Sequence, residues 1–102
     1  MVAVGVVSKP AHAATVFVNN CAVSSILYRD SFLEFICVGS STPYHGFAPG
    51  VGCPASQIRT LDTVKLWVGM VEAAMLSGKK LNFDYDDAGT CKQAVANLVL
   101  VQ

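Results

Sequence analysis

The sequence predicts a mainly β domain carrying one helix, with five strands closed into a barrel and the elements in the order strand, strand, strand, helix, strand, strand. Three observations lead there. From Val64 the apolar residues recur at Trp67, Val68, Val71, Ala74 and Met75, the spacing of a helix with one buried stripe. After Gly78 the period switches to two, with Leu81, Phe83 and Tyr85 pointing one way and Asn82, Asp84 and Asp86 the other. Elsewhere β-branched and aromatic runs alternate with breaks rich in Gly and Pro.

Residues 1–13 read as the remnant of a signal peptide. An apolar run over 1–7 precedes Ala11 and Ala13, the two places where signal peptidase admits only small side chains. The other reading makes residues 2–7 a first strand. On the signal reading the folded domain is 14–102. Residues 15–23 are β-branched and aromatic and predict a strand, 24–30 a connecting loop with polar ends, and 31–38 a second strand with Glu34 on its wet face. Residues 39–54 hold four glycines and three prolines, a density that breaks regular structure, and a loop of that length is expected to be functional or pinned. Residues 56–61 supply a short third strand. The helix starts at a cap from Thr60 or Asp62, whose side-chain oxygens accept from the free N–H groups of a first turn, and stops at Gly78. Residues 79–86 form the fourth strand, 87–91 a turn, and 95–101 a last strand apolar enough to be buried on both faces.

That order is the order of the OB-fold, a five-stranded barrel, and closing the sheet removes the exposed edges that invite aggregation in so apolar a chain. The alternative is an open α+β sheet with the helix across one face. At 102 residues, 53% hydrophobic and 14% charged, the chain has the material for one domain with a real core. Seven basic residues balance seven acidic ones, so the basic footprint of a nucleic-acid binder is missing, and no apolar run approaches the roughly 20 residues that span a bilayer.

Cys21, Cys37, Cys53 and Cys91 are an even set in a short chain, which in an exported protein implies two disulfides with three possible pairings. Zinc sites normally show two close ligands, and no two of these cysteines stand nearer than 16 positions, so no metal or cofactor is expected. In the barrel, Cys37 ends strand two and Cys53 brings the long loop back to it. Cys21 lies late in strand one, and Cys91 lies between strands four and five, whose loop shares a pole with the loop after strand one. The expected pairs are therefore Cys37–Cys53 and Cys21–Cys91.

Phe35-Ile36-Cys37-Val38, a loop, Gly52-Cys53, a helix carrying Trp67 and Ala74, and then Ser77-Gly78-Lys79-Lys80-Leu81-Asn82-Phe83-Asp84-Tyr85 form an ordered series. It resembles the B subunits of subtilase cytotoxin and typhoid toxin, which have an aromatic-Cys strand end, a second Cys, a helix and a Thr-Gly-Gln-x-Val-Arg-Ile strand. The resemblance is strongest over residues 31–86 and extends weakly to the last strand. It implies an OB barrel, a disulfide between Cys37 and Cys53, a ring of five copies binding sialylated glycans, and a toxin A subunit as partner. A small exported relative without a toxin partner fits the same series. The serine that contacts sugar before the first strand of those subunits has no counterpart in His12-Ala13-Ala14-Thr15, their strand-four Arg is Asn82 here, and their following aromatic is replaced by Asp86-Asp87-Ala88-Gly89. No sugar-binding residue is carried over.

The residues themselves offer a different candidate set. Tyr28, Arg29 and Asp30 lie between strands one and two, and Tyr85, Asp86 and Asp87 lie beside the turn after strand four, the two loops that frame the ligand groove of OB barrels. Rings stack on the apolar faces of sugars while carboxylates and Arg take the hydroxyls, which suits a glycan. The competing reading is a solvated loop pair with a surface ion pair. Trp67 falls on the helix stripe and reads as core, and Met70 and Met75 as core or subunit contact. Asp84, Asp86 and Asp87 lack calcium-loop spacing and read as solvated carboxylates. Tyr44-His45-Gly46-Phe47 either clamps a ligand or packs over the barrel. Ser40 or Ser41 with His45 and a distant Asp lacks a nucleophile elbow, so no catalysis is expected. The functional expectation is a secreted or periplasmic glycan-binding module, homo-oligomeric, with a protein-binding structural or inhibitory protein as the alternative.

Overall fold

The structure is a computed structural model that describes residues 15–29, 32–86 and 91–101. The expected signal segment, Asp30 and Asp87 lie outside the described residues.

The helix and the strand after it form as their local signals dictate. Helix α1 runs Leu61–Ser77, with Thr60 as its cap: the Thr60 hydroxyl oxygen accepts from the Thr63 N–H at 3.1 Å. Gly78 ends it in the left-handed conformation at φ 78°, its N–H donating to the Ala74 carbonyl. Val64, Trp67, Val71 and Ala74 are buried, and the larger of these side chains each contribute about 1.5–3 kcal/mol on full burial.

The described residues form six strands besides the helix: β1 (Thr15–Cys21), β2 (Val23–Arg29), β3 (Phe32–Cys37), β4 (Pro43–Phe47), β5 (Lys80–Asp86) and β6 (Ala94–Val101). They form one mixed sheet in the order β1-β5-β6-β4-β3-β2, with β4 and β6 parallel and the other neighbours antiparallel. The protein is thus mainly β with one helix, as expected. The described pairings give a six-stranded sheet rather than a closed five-stranded barrel, which is consistent with the open-sheet alternative. The difference begins at Ala22, the single residue between β1 and β2, where one long extended segment changes partner from β5 to β3.

Other expectations are corrected by packing. Residues 24–29, expected as loop, are strand: Ile26, Leu27 and Tyr28 pair with Phe35, Glu34 and Leu33 in an antiparallel ladder that overrides the polar start. The third strand is β4, inside the stretch expected as a loop, while 56–61 holds a 3₁₀ turn at Ala55–Gln57 and a lone bridge from Ile58 to Phe47. Gly46 reads as a loop residue by sequence. In β4 it instead admits the Trp67 ring, which lies 3.0 Å from where a Cβ would stand. Strand β6 is buried on one side only, with Asn97 and Val99 exposed.

The core joins Leu33, Phe35, Tyr44, Leu81, Phe83 and Val95 to the helix stripe. Four rings, Phe35, Tyr44, Phe83 and Tyr85, meet at centroid distances of 4.8–5.8 Å, two of the contacts edge-on. All four cysteines are oxidised, but the pairs are Cys21–Cys37 and Cys53–Cys91, with Cα separations of 5.4 and 5.7 Å, and not the expected Cys37–Cys53 and Cys21–Cys91. The bend at Ala22 sets Cys21 beside the end of β3, where Val23 pairs with Cys37 and the Val38 N–H donates to the Ala22 carbonyl at 2.6 Å. Cys53 is carried instead to the start of β6, where the Gln57 side-chain amide donates to the Cys91 carbonyl at 2.7 Å.

Candidate functional site

Alternation turns one set of side chains from β1, β5 and β6 away from the core, and three strands side by side make those residues a surface. Phe17 stands opposite Asp84, and Asp84 opposite Asn97. One row along, Asn82 stands opposite Val99. Together with Asn19 and Phe83 these residues line an open groove of about 170 Å³. The Phe17 side chain is 71% exposed and Val99 58%, a large apolar area to leave in water on a face otherwise made of amides and a carboxylate.

The polar groups of the groove are held in place. The Asn97 amide donates to both Asp84 carboxylate oxygens, at 3.3 and 3.2 Å, which fixes the carboxylate across the β5–β6 ladder. The Asn82 Oδ1 accepts from the Asn20 backbone N–H at 2.8 Å, a contact that leaves its two Nδ2 hydrogens uncommitted. Two β-bulges border the groove. Between Val18 and Cys21, β1 carries one residue more than β5, and Asn20 takes up the slack at φ 60°, a conformation Asn tolerates better than other side chains. Between Asp84 and Tyr85 the extra residue is on β6, next to Asn97. Bulges re-aim side chains, and here they flank the Asn and Asp groups on both sides.

The residues expected to frame a site are placed differently. Tyr28 and Arg29 end β2, exposed, opposite Leu33 and Phe32 of β3. Tyr85 and Asp86 end β5, and in the sheet order β6, β4 and β3 lie between the two pairs. Tyr85 turns inward, its ring 5.2 Å from that of Tyr44. The outward partners on its own strand, Asn82 and Asp84, belong to the groove that sequence reasoning missed. The period-two signal had put them on a wet face, yet nothing local says that Phe17 and Asn97 lie beside them.

The Tyr44-His45-Gly46-Phe47 segment divides by alternation. Tyr44 and Gly46 face inward, and burial of the Tyr44 hydroxyl, with the nearby Tyr85 adding to it, raises its pKa above the usual tyrosine value. His45 and Phe47 face outward and stack at 5.0 Å, with Phe32 edge-on to the His45 ring. The His45 Nδ1 lies 3.2 Å from the Lys92 carbonyl and its Nε2 3.3 Å from a Glu34 carboxylate oxygen, so the ring ties β3, β4 and the lead into β6 together. Both partners are acceptors, and a neutral ring can donate to only one of them. Among the described residues no three His, Cys, Asp or Glu side chains cluster as a metal site requires, and no helix is long and apolar enough to cross a membrane. Compared with known protein families, with curated proteins and with solved structures, the chain matches none.

Proposed function

We propose that the protein is an exported, non-catalytic module that binds a glycan through the groove on the outer face of β1, β5 and β6. One observation carries this reading: an exposed aromatic ring, Phe17, in register with a carboxylate and an amide that are already fixed by their own hydrogen bond. A sugar ring presents an apolar face to stack on such a ring and hydroxyls around its rim for Asp84, Asn82, Asn97 and Asn19. Export is supported by two disulfides in a short chain, since such bonds persist in oxidising compartments, whether outside the cell or in a periplasm.

We further propose that this sheet belongs to an OB-type barrel. Its two end strands, β1 and β2, are one segment interrupted only at Ala22, and counting them as one leaves five strands with the helix between the third and the fourth. That architecture, and the resemblance to toxin B subunits, extend the proposal to a homo-oligomeric ring of five copies, with or without a toxin A subunit. The test is a glycan array probed with the folded, oxidised protein and with Phe17→Ala. Binding by the first and loss by the second support the reading; no binding by the first overturns it.

A second reading, binding to another protein, rests on a different surface. Leu66, Gly69, Ala73 and Leu76 recur at helical spacing on the side of α1 away from the core, with Leu66 63% and Leu76 84% exposed. Leu76→Glu that lowers the native mass, or releases a co-purifying protein, favours it.

A further inference from the structure

We infer that this groove selects a single uncharged sugar ring, a neutral hexopyranose or N-acetylhexosamine, and discriminates against sialylated and uronic ligands. The inference rests on the glycan reading and sharpens it against the sialylated ligand that the resemblance implies. Its first basis is charge. The groove is lined by three carboxamides (Asn19, Asn82 and Asn97), one carboxylate (Asp84), two aromatic residues and one valine, with no Lys, Arg or His among them. An acidic sugar seated there brings its carboxylate to Asp84 with no cation among the lining residues to answer either, and like charges brought together at an interface are strongly disfavoured. The hydroxyls and acetamido group of a neutral sugar are instead what carboxamides and a carboxylate pair with, the amides giving and accepting and Asp84 accepting.

The second basis is size. At about 170 Å³ the groove is smaller than the roughly 300 Å³ at which pockets for drug-sized ligands begin. Its frame of three strands and two rows measures roughly 10 Å by 7 Å from standard strand spacings. The concave part of that frame matches one pyranose ring, stacked on Phe17 and resting against Val99. The bulges at Asn19–Asn20 and beside Asn97 bound the groove along the strands and limit its reach in the same sense.

The test uses the full oxidised chain and paired immobilised glycans ending in hexose, N-acetylhexosamine or N-acetyllactosamine, each presented also in sialylated form. The expected result is that the uncapped member of a pair binds at least about tenfold more tightly. Its affinity should change little between low and high salt, because a neutral ligand has no charge to screen. Phe17→Ala, at an exposed position, should abolish binding to every member while the circular dichroism spectrum and melting temperature stay near the parent's. Asp84→Asn should keep the Asn97 contact through its carbonyl and shrink the preference for the uncapped form to about threefold or less. Equal or tighter binding to sialylated members, or a preference that Asp84→Asn leaves unchanged, overturns the inference while the glycan reading stands. Absence of binding to all members overturns both.

Discussion

Replacing Gly46 by alanine tests the seat of the helix on the sheet. Gly46 lies in β4 opposite Leu33, and an added Cβ would stand 3.0 Å from Trp67 Cε3, 3.4 Å from Cζ3 and 3.7 Å from the Leu33 Cβ. The indole has little room to retreat, since Trp67 is buried and its helix neighbours Val64 and Val71 are wholly enclosed. Overpacking of this kind costs roughly 1–3 kcal/mol. Alanine recovers about 0.4–1 kcal/mol by restricting the unfolded chain, so the net loss is about 1–2 kcal/mol. For a domain of this size that lowers Tm by roughly 5–15 °C. Thermal melts followed by circular dichroism, with disulfides intact, provide the measurement, and the same substitution in a Trp67→Phe background identifies the cause. If the ring is what the methyl meets, the two changes couple by at least about 0.5 kcal/mol. A Gly46→Ala protein that melts at or above the parent temperature, or an equal loss in both backgrounds, refutes the described packing.

Non-reducing peptide mapping should find Cys21 joined to Cys37 and Cys53 to Cys91, and graded reduction should open Cys53–Cys91 first, because those two residues are only half-buried while Cys21 and Cys37 are buried. Removing them should cost about 3 kcal/mol for the shorter loop and about 4 kcal/mol for the longer in the chain-entropy model. Thr60→Ala should cost about 1 kcal/mol in urea unfolding, by freeing the Thr63 N–H that the hydroxyl now accepts from. Tyr44 holds its proton more tightly folded than unfolded, because burial, and then Tyr85, disfavour the phenolate. Its contribution is therefore fully present below the ordinary tyrosine pKa near 10 and is lost as pH rises through the higher folded value. Ultraviolet titration should show Tyr44 ionising late, and Tyr44→Phe should remove that late step and flatten the alkaline loss of stability.

What was legible beforehand follows the range of the forces involved. Helix α1, its Gly78 stop and the inward set Leu81, Phe83 and Tyr85 are written within one or two turns of chain and stand as read, while of the two cap candidates the structure takes Thr60 and not Asp62. Strand β4 escaped because Pro43 and Gly46 carry loop signals locally, while the reason for a glycine there is an indole 21 positions away. The candidate site was half legible. The outward direction of Asn82 and Asp84 was apparent, whereas their union with Phe17 and Asn97 depends on β5 lying between β1 and β6.

By itself, then, the sequence determined a mainly β domain with one amphipathic helix, which residues of β5 face the core, and four cysteines suited to oxidation. The tertiary structure decided which strands are neighbours, that one extended segment serves both ends of the sheet through Ala22, which sulfurs meet, and where an aromatic ring and a carboxylate share a groove. The reason is physical. Caps and periodicity act between residues a few positions apart, whereas strand partners are chosen by burial summed over the whole chain, and a one-residue bend or bulge redirects everything after it.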